Sequence, residues 1–184
     1  NKLVKDSSGN MYILDTGKKL SVTNGQLAAL GLSSGSFVTT DDSFLSRFST
    51  ATMQTLIRVN NSSAVYDIIS GKLYHIFSGT DFTGLGYSWG NVVTVNQTTA
   101  NVFTNANSAE FEQGRLVQIN GDSKVYLIEG SFVKKYIPSA QIFTEYGFVW
   151  GNIAKVTAGD LSGYTTSGNL TEVVKDGSGV YWLV

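Results

Sequence analysis

One short strand-like phrase recurs four times along the chain: Met11-Tyr12-Ile13-Leu14, Val65-Tyr66-Asp67-Ile68, Val125-Tyr126-Leu127-Ile128 and Val180-Tyr181-Trp182-Leu183. Its tyrosines are spaced 54, 60 and 55 residues apart. Self-similarity at such a period predicts tandem units, each one supersecondary block that needs its neighbours to bury an apolar face. A second apolar run precedes every copy: Leu3-Val4-Lys5, Leu56-Ile57-Arg58, Leu116-Val117-Gln118 and Val173-Val174-Lys175. Between the two runs lie Asp6–Asn10, Asn60–Ser63, Asn120–Ser123 and Asp176–Gly179, rich in residues that tolerate positive φ or bond back to the backbone. Each unit therefore opens with a β-hairpin.

A third run follows, Lys18–Val22, Lys72–Ile76 and Lys134–Ile137, set off by Gly17, Gly71 and Gly130. Next come Asn24, Ser78 and Ser139, which suit helix N-caps, and Gly86 and Gly147, which suit helix stops. This predicts one two-turn helix per unit. An aromatic phrase comes after it, Tyr87-Ser88-Trp89-Gly90-Asn91-Val92 and Phe148-Val149-Trp150-Gly151-Asn152-Ile153. A fourth strand is expected at Val93–Val95 and Ala154–Val156. An apolar pair closes the unit: Leu45 with Phe48, Ala100 with Phe103, Leu161 with Tyr164. The expected boundaries are 1–52, a degenerate first unit, then 53–112, 113–168 and a partial fourth unit at 169–184, a hairpin whose strand 180–184 should be covered on both faces. The fold expected is mainly β, with one short helix per repeat and three or four antiparallel strands. Units of about 55 residues would form a propeller-like or open curved array, with pseudo-threefold closure as the rival.

The pattern of Val125–Ile128, Lys134–Ser139, Phe143, Gly147, Trp150 and Asn152 resembles a tandem repeat of bacterial cell-surface and cell-wall-associated proteins. The second unit follows it well and the first less so. The resemblance implies an extracellular or cell-surface location. It brings no catalytic residue and no fixed ligand.

Composition narrows the chemistry. Apolar residues make up 42% of the 184, enough for a globular core, while charged residues make up only 15% and the net charge is -1. A nucleic-acid binder would show a basic footprint, so no nucleic-acid partner is expected. No apolar run approaches the roughly 18 residues that span a bilayer, so no membrane insertion is expected. Cysteine is absent and His75 is the one histidine. A zinc centre and a cysteine nucleophile thus lack their parts, and no complete calcium loop is present. His75, the base a Ser-His-Asp triad would need, occupies a strand slot that Ser21 fills in the first unit, as a structural position would. No catalytic residue, metal or cofactor is assigned, and the chain is expected not to be an enzyme.

The candidate binding residues are Tyr87, Trp89, Asn91, Phe148, Trp150 and Asn152. The aromatic rings serve either as platforms for sugar rings or as inter-repeat core. The asparagines either meet ligand hydroxyls or satisfy the adjacent turn. Tyr12, Tyr66, Tyr126 and Tyr181 are expected as buried core. Two functions follow. One is a structural or adhesive subunit of a bacterial surface assembly, with copies of itself as partners. The other is a carbohydrate-binding module whose partner is a cell-wall or surface glycan. Exposure of Trp89 and Trp150 in a shallow groove would favour the glycan, and burial at the seams between units would favour the assembly.

Overall fold

The computed structural model describes residues 2–175, 178 and 180–183. In Met11–Asp15 the first, third and fifth side chains are buried and the two between them half-buried, the period-two pattern of a strand against a core. The first sheet contains β1 (Leu3–Lys5), β2 (Met11–Asp15), β3 (Lys18–Val22), β4 (Val38–Thr39) and β5 (Ser49–Thr52), with α1 (Asp42–Leu45) between the last two. Its strand order is β4-β1-β2-β3-β5. The three central strands form an antiparallel meander, while β4 pairs parallel with β1 and β5 parallel with β3.

The second sheet contains β6 (Leu56–Val59), β7 (Val65–Ile69), β8 (Lys72–Ile76), β9 (Val93–Val95) and β10 (Thr104–Glu110), in the order β10-β8-β7-β6-β9. Helix α2 (Gly79–Gly84) precedes β9, and α3 (Gln97–Ala100) follows it. The third contains β11 (Leu116–Ile119), β12 (Val125–Gly130), β13 (Val133–Ile137), β14 (Ala154–Val156) and β15 (Thr165–Asn169), in the order β14-β11-β12-β13-β15. Helix α4 (Ala140–Glu145) precedes β14. Strands β16 (Val173–Lys175) and β17 (Tyr181–Leu183) pair as a two-stranded sheet. The protein is thus mainly β, with three five-stranded sheets and short helices.

The chain divides into two compact units, residues 1–76 with 87–107, and residues 77–86 with 108–184. In the first unit one core cluster takes side chains from both of its sheets, including Ile13 and Leu20 from the first and Ile57 and Ile68 from the second. Gly31, in the turn segment after β3, lies so close to the β7–β8 turn that a Cβ there would run into the backbone of Gly71. Both glycines have positive φ, so each serves a turn and a close approach at once. Asp15, almost fully buried, accepts from the Asn96 amide at 3.1 Å and from the Thr99 hydroxyl at 3.0 Å, which docks α3 on β2. The second unit holds two clusters. One joins Phe111, Val117, Ile128, Leu161 and Tyr164, and the other joins Leu116, Val125, Ile137, Ile142, Phe143 and Leu170.

Four expectations change. The outer strands β4, β9 and β14 run parallel to their neighbours, because each arrives by a crossover carrying the helical segment. The fifth strands β5, β10 and β15 were not foreseen. Two further helices, α1 and α3, appear after the fourth strands, whereas the place of the expected first helix holds a 3-10 turn at Asn24–Gln26 capped by Thr23. Tyr12, Tyr66 and Tyr126 are half-buried rather than core. Their neighbours Ile13, Val65 and Val125 take the buried face, and the tyrosines lie across from His75 (Tyr66, 5.6 Å between ring centres) and Tyr136 (Tyr126, 5.8 Å) or beneath Lys19 (Tyr12, 4.9 Å). The terminal hairpin is present as β16 and β17, and there a further expectation fails at Val180, which is exposed where cover on both faces was expected. Its turn residues 176, 177 and 179, together with Val184, lie outside the described residues.

Candidate functional site

The second unit builds its candidate site around α4. Ser139 caps the helix, its Oγ accepting from the Ile142 amide at 3.1 Å, and Tyr146 closes it in αR geometry. Gly147 then takes φ of 70°, a conformation that suits glycine, and turns the chain back. This reversal delivers Phe148 and the 3-10 turn Trp150–Asn152, after which β14 joins the sheet beside β11.

Phe143, fully buried, is the anchor. Trp150 stacks on it with ring centres 3.9 Å apart and planes 19° apart. Phe148 meets Phe143 edge-on at 5.5 Å and stacks on Tyr146 at 5.5 Å. Tyr146 donates its hydroxyl to the Thr171 carbonyl at 2.8 Å, and burial raises its phenol above the ordinary tyrosine value. Trp150 is thus fixed by the ring behind it and still 53% exposed. It borders a cleft of about 140 Å³ with Ser123, Tyr136, Pro138, Ser139 and Phe143.

On the same loop, Phe148 and Asn152 line a different and larger cavity of about 530 Å³, together with Glu112, Arg115 and backbone of Gly114, Gly147 and Gly151. Beside Arg115 lies Asp81 of α2, whose side chain is fully buried. Asp81 accepts from the Ser78 hydroxyl and, at 3.1 Å, from the Glu112 amide, and its Oδ1 is 3.9 Å from the Arg115 Nε. The missing side chain of Gly84 makes room for the Glu112 carboxylate, which a Cβ there would strike.

In the first unit Trp89 is 58% exposed. Tyr87 donates its hydroxyl to Asp67 Oδ2 at 2.9 Å, while Asp67 Oδ1 is buried with no partner. Asn91 and Asn152 each close their 3-10 turn through the backbone, donating to the Ser88 carbonyl at 3.0 Å and the Val149 carbonyl at 2.9 Å. Of the six candidates, Phe148 and Asn152 share one cavity and Trp150 borders another, whereas Tyr87, Trp89 and Asn91 belong to the first unit.

Glu112, Arg115, Asp81 and Asp67 were missed from sequence. A signal existed for two of them. Asp67 stands in the strand phrase where Ile13 and Leu127 stand, and Asp81 stands in the helix where Ile142 stands. An acid in an otherwise apolar slot marks a buried polar contact. Among the described residues no group of three or more His, Asp or Glu could hold a metal ion, and no helix is long and apolar enough to cross a membrane. Compared with known proteins, the chain matches no family model and no curated sequence.

Proposed function

We propose that this protein is a non-catalytic, extracellular carbohydrate-binding module of a bacterial surface, built as tandem units in a propeller-like or open curved array, with Trp89 and Trp150 as its sugar platforms. The observation that carries this is the exposure of both indoles, 58% and 53%, at matching places in two crossovers. An indole that packed between repeats would be covered. Trp150 has in addition the build of a platform, since it stacks on Phe143 and just over half of it is exposed. A rigid, amphipathic ring offers large contact area at small entropic cost, which suits the apolar face of a pyranose.

The experiment is co-sedimentation with insoluble glycans: peptidoglycan, chitin, cellulose and mannan. Wild-type protein should pellet with at least one of them and the Trp89→Ala/Trp150→Ala double variant should stay in solution with its fold intact. Equal retention of the two proteins would end the proposal.

The alternative is a structural or adhesive subunit that binds copies of itself. Concentration-dependent assembly by light scattering, insensitive to the tryptophan substitutions, would favour that function.

A further inference from the structure

We propose that the 530 Å³ cavity lined by Glu112, Arg115, Phe148 and Asn152 is a subsite for one pyranose ring bearing no acidic group; this rests on the glycan-binding function above and adds to it a second, polar recognition element with a stated selectivity. Arg115 carries five N–H donors, and its side chain makes no hydrogen bond among the described residues. Its Nε is enclosed beside Asp81 with no acceptor among the described residues, so the donors within reach of a ligand are those on the Nη groups of this partly exposed side chain. The nearest carboxylate oxygens, Asp81 Oδ1 from Nε and Glu112 Oε1 from Nη1, are both 3.9 Å away, close enough to attract and too far to bond. The side chains of Glu112 and Asn152 likewise make no hydrogen bond among the described residues.

Three side chains with unused capacity therefore border one cavity: donors on Arg115 and Asn152, acceptors on Glu112 and Asn152. A ligand that answers both must donate and accept from adjacent atoms, which vicinal hydroxyls do. Phe148 supplies an apolar wall for the C–H face of the ring. Charge sets the selectivity. One guanidinium stands against two carboxylates, Asp81 fully buried and Glu112 about three-quarters buried, so the excess is negative and a uronate is repelled. Room for Glu112 is built in: α2 has Gly84 where α4 has Glu145, and any side chain at 84 would collide with the Glu112 carboxylate.

The test is a ¹⁵N-amide NMR titration of the whole chain with three probes: methyl β-D-glucopyranoside, N-acetyl-D-glucosamine and D-glucuronate. At least one neutral probe should shift the amides of 112–116 and 147–154, and glucuronate should bind about tenfold more weakly or worse. Glu112→Gln and Asn152→Ala, neither of which removes a structural hydrogen bond, should each weaken the neutral probe by about fivefold or more. Arg115→Lys keeps the charge beside Asp81, loses the fork and should weaken it similarly. The subsite is overturned if neither neutral probe shifts these amides, if glucuronate binds as well as they do, or if the three variants bind like wild type. Retention on an insoluble glycan without these shifts would leave the tryptophan platforms standing and remove the subsite. Shifts without retention would do the reverse.

Discussion

Helices α2 and α4 have the same length, the same serine cap and the same buried phenylalanine, Phe82 in one and Phe143 in the other, yet they seat themselves by different physics. At the third helical position α2 has Asp81 and α4 has Ile142. Asp81 is fully enclosed and held by the Ser78 hydroxyl, the Glu112 amide and the nearby Arg115 guanidinium. Ile142 joins an apolar cluster with Leu116, Val125, Ile137 and Leu170. The shared cap and phenylalanine make the helix. The one variable position decides what the helix is fastened to. A buried carboxylate tolerates only the partners that satisfy it, whereas a buried isoleucine accepts any apolar wall of suitable shape.

Exchanging those residues gives the largest expected effects. Ile142→Asp places an unpaired carboxylate in an apolar cluster and should cost more than about 4 kcal/mol in urea unfolding. Asp81→Ile leaves the Ser78 hydroxyl and the Glu112 amide without their acceptor and the Arg115 guanidinium without the carboxylate beside it, and should cost about 3–5 kcal/mol. A stable Asp81→Ile variant would mean that α2 is seated by Phe82 alone, and the contrast between the helices would collapse.

A smaller effect is expected at Tyr164, which lies in the second unit's polar-edged cluster and not in the cluster of α4. Its hydroxyl accepts from the buried Phe111 amide at 3.1 Å, so Tyr164→Phe should cost about 1–3 kcal/mol by orphaning that donor. Burial raises the Tyr164 phenol well above the ordinary tyrosine range. The folded protein keeps a proton that the unfolded chain releases near pH 10, so this stability is present below about pH 10 and declines as the pH climbs further. Melting temperatures measured from pH 8 to 11 should fall more steeply for wild type than for Tyr164→Phe. Parallel curves would show that the phenol does not titrate differently on unfolding.

The caps sharpen the comparison most finely. Ser139→Ala should cost about 1 kcal/mol, the usual value of a serine cap. Ser78→Ala should cost more, because Ser78 also donates to the enclosed Asp81 carboxylate. Equal losses in thermal melts would place Asp81 outside the network drawn around it. The smallest change, about 1 kcal/mol or less, is expected for Trp150→Ala, since Trp150 is half exposed and stacks on Phe143.

What the sequence revealed and what it hid follow from the same distinction between apolar pattern and polar contact. Hairpins such as β1–β2 and β11–β12 were legible because apolar runs such as Leu3-Val4 and Val125–Ile128 flank turn residues, and Ser78 and Ser139 announced their helices. Strands β5, β10 and β15 were silent: Ser49-Thr50-Ala51-Thr52 and Thr165-Thr166-Ser167 are mostly polar and exposed, so no hydrophobic period marks them. They add at the sheet edge through backbone bonds, such as Ser49 N–H to the Gly17 carbonyl at 3.2 Å. Within the candidate site, Trp150, Phe148 and Asn152 stood out by recurrence. Arg115 and Glu112 did not, because their roles arise from a chain reversal that brings residues 112–115 and 147–152 around one cavity.

On the proposed function, Trp89 and Trp150 are the surfaces on which a sugar rests. The most direct measurement is the pair of assigned indole N–H resonances of these two residues, followed while soluble fragments of whichever glycan retains the protein are added. Both indoles should shift in a saturable way, and in Trp150→Ala the remaining Trp89 signal should still move while overall affinity falls. Retention on the glycan with both indole resonances unmoved would place the binding surface elsewhere and contradict the account.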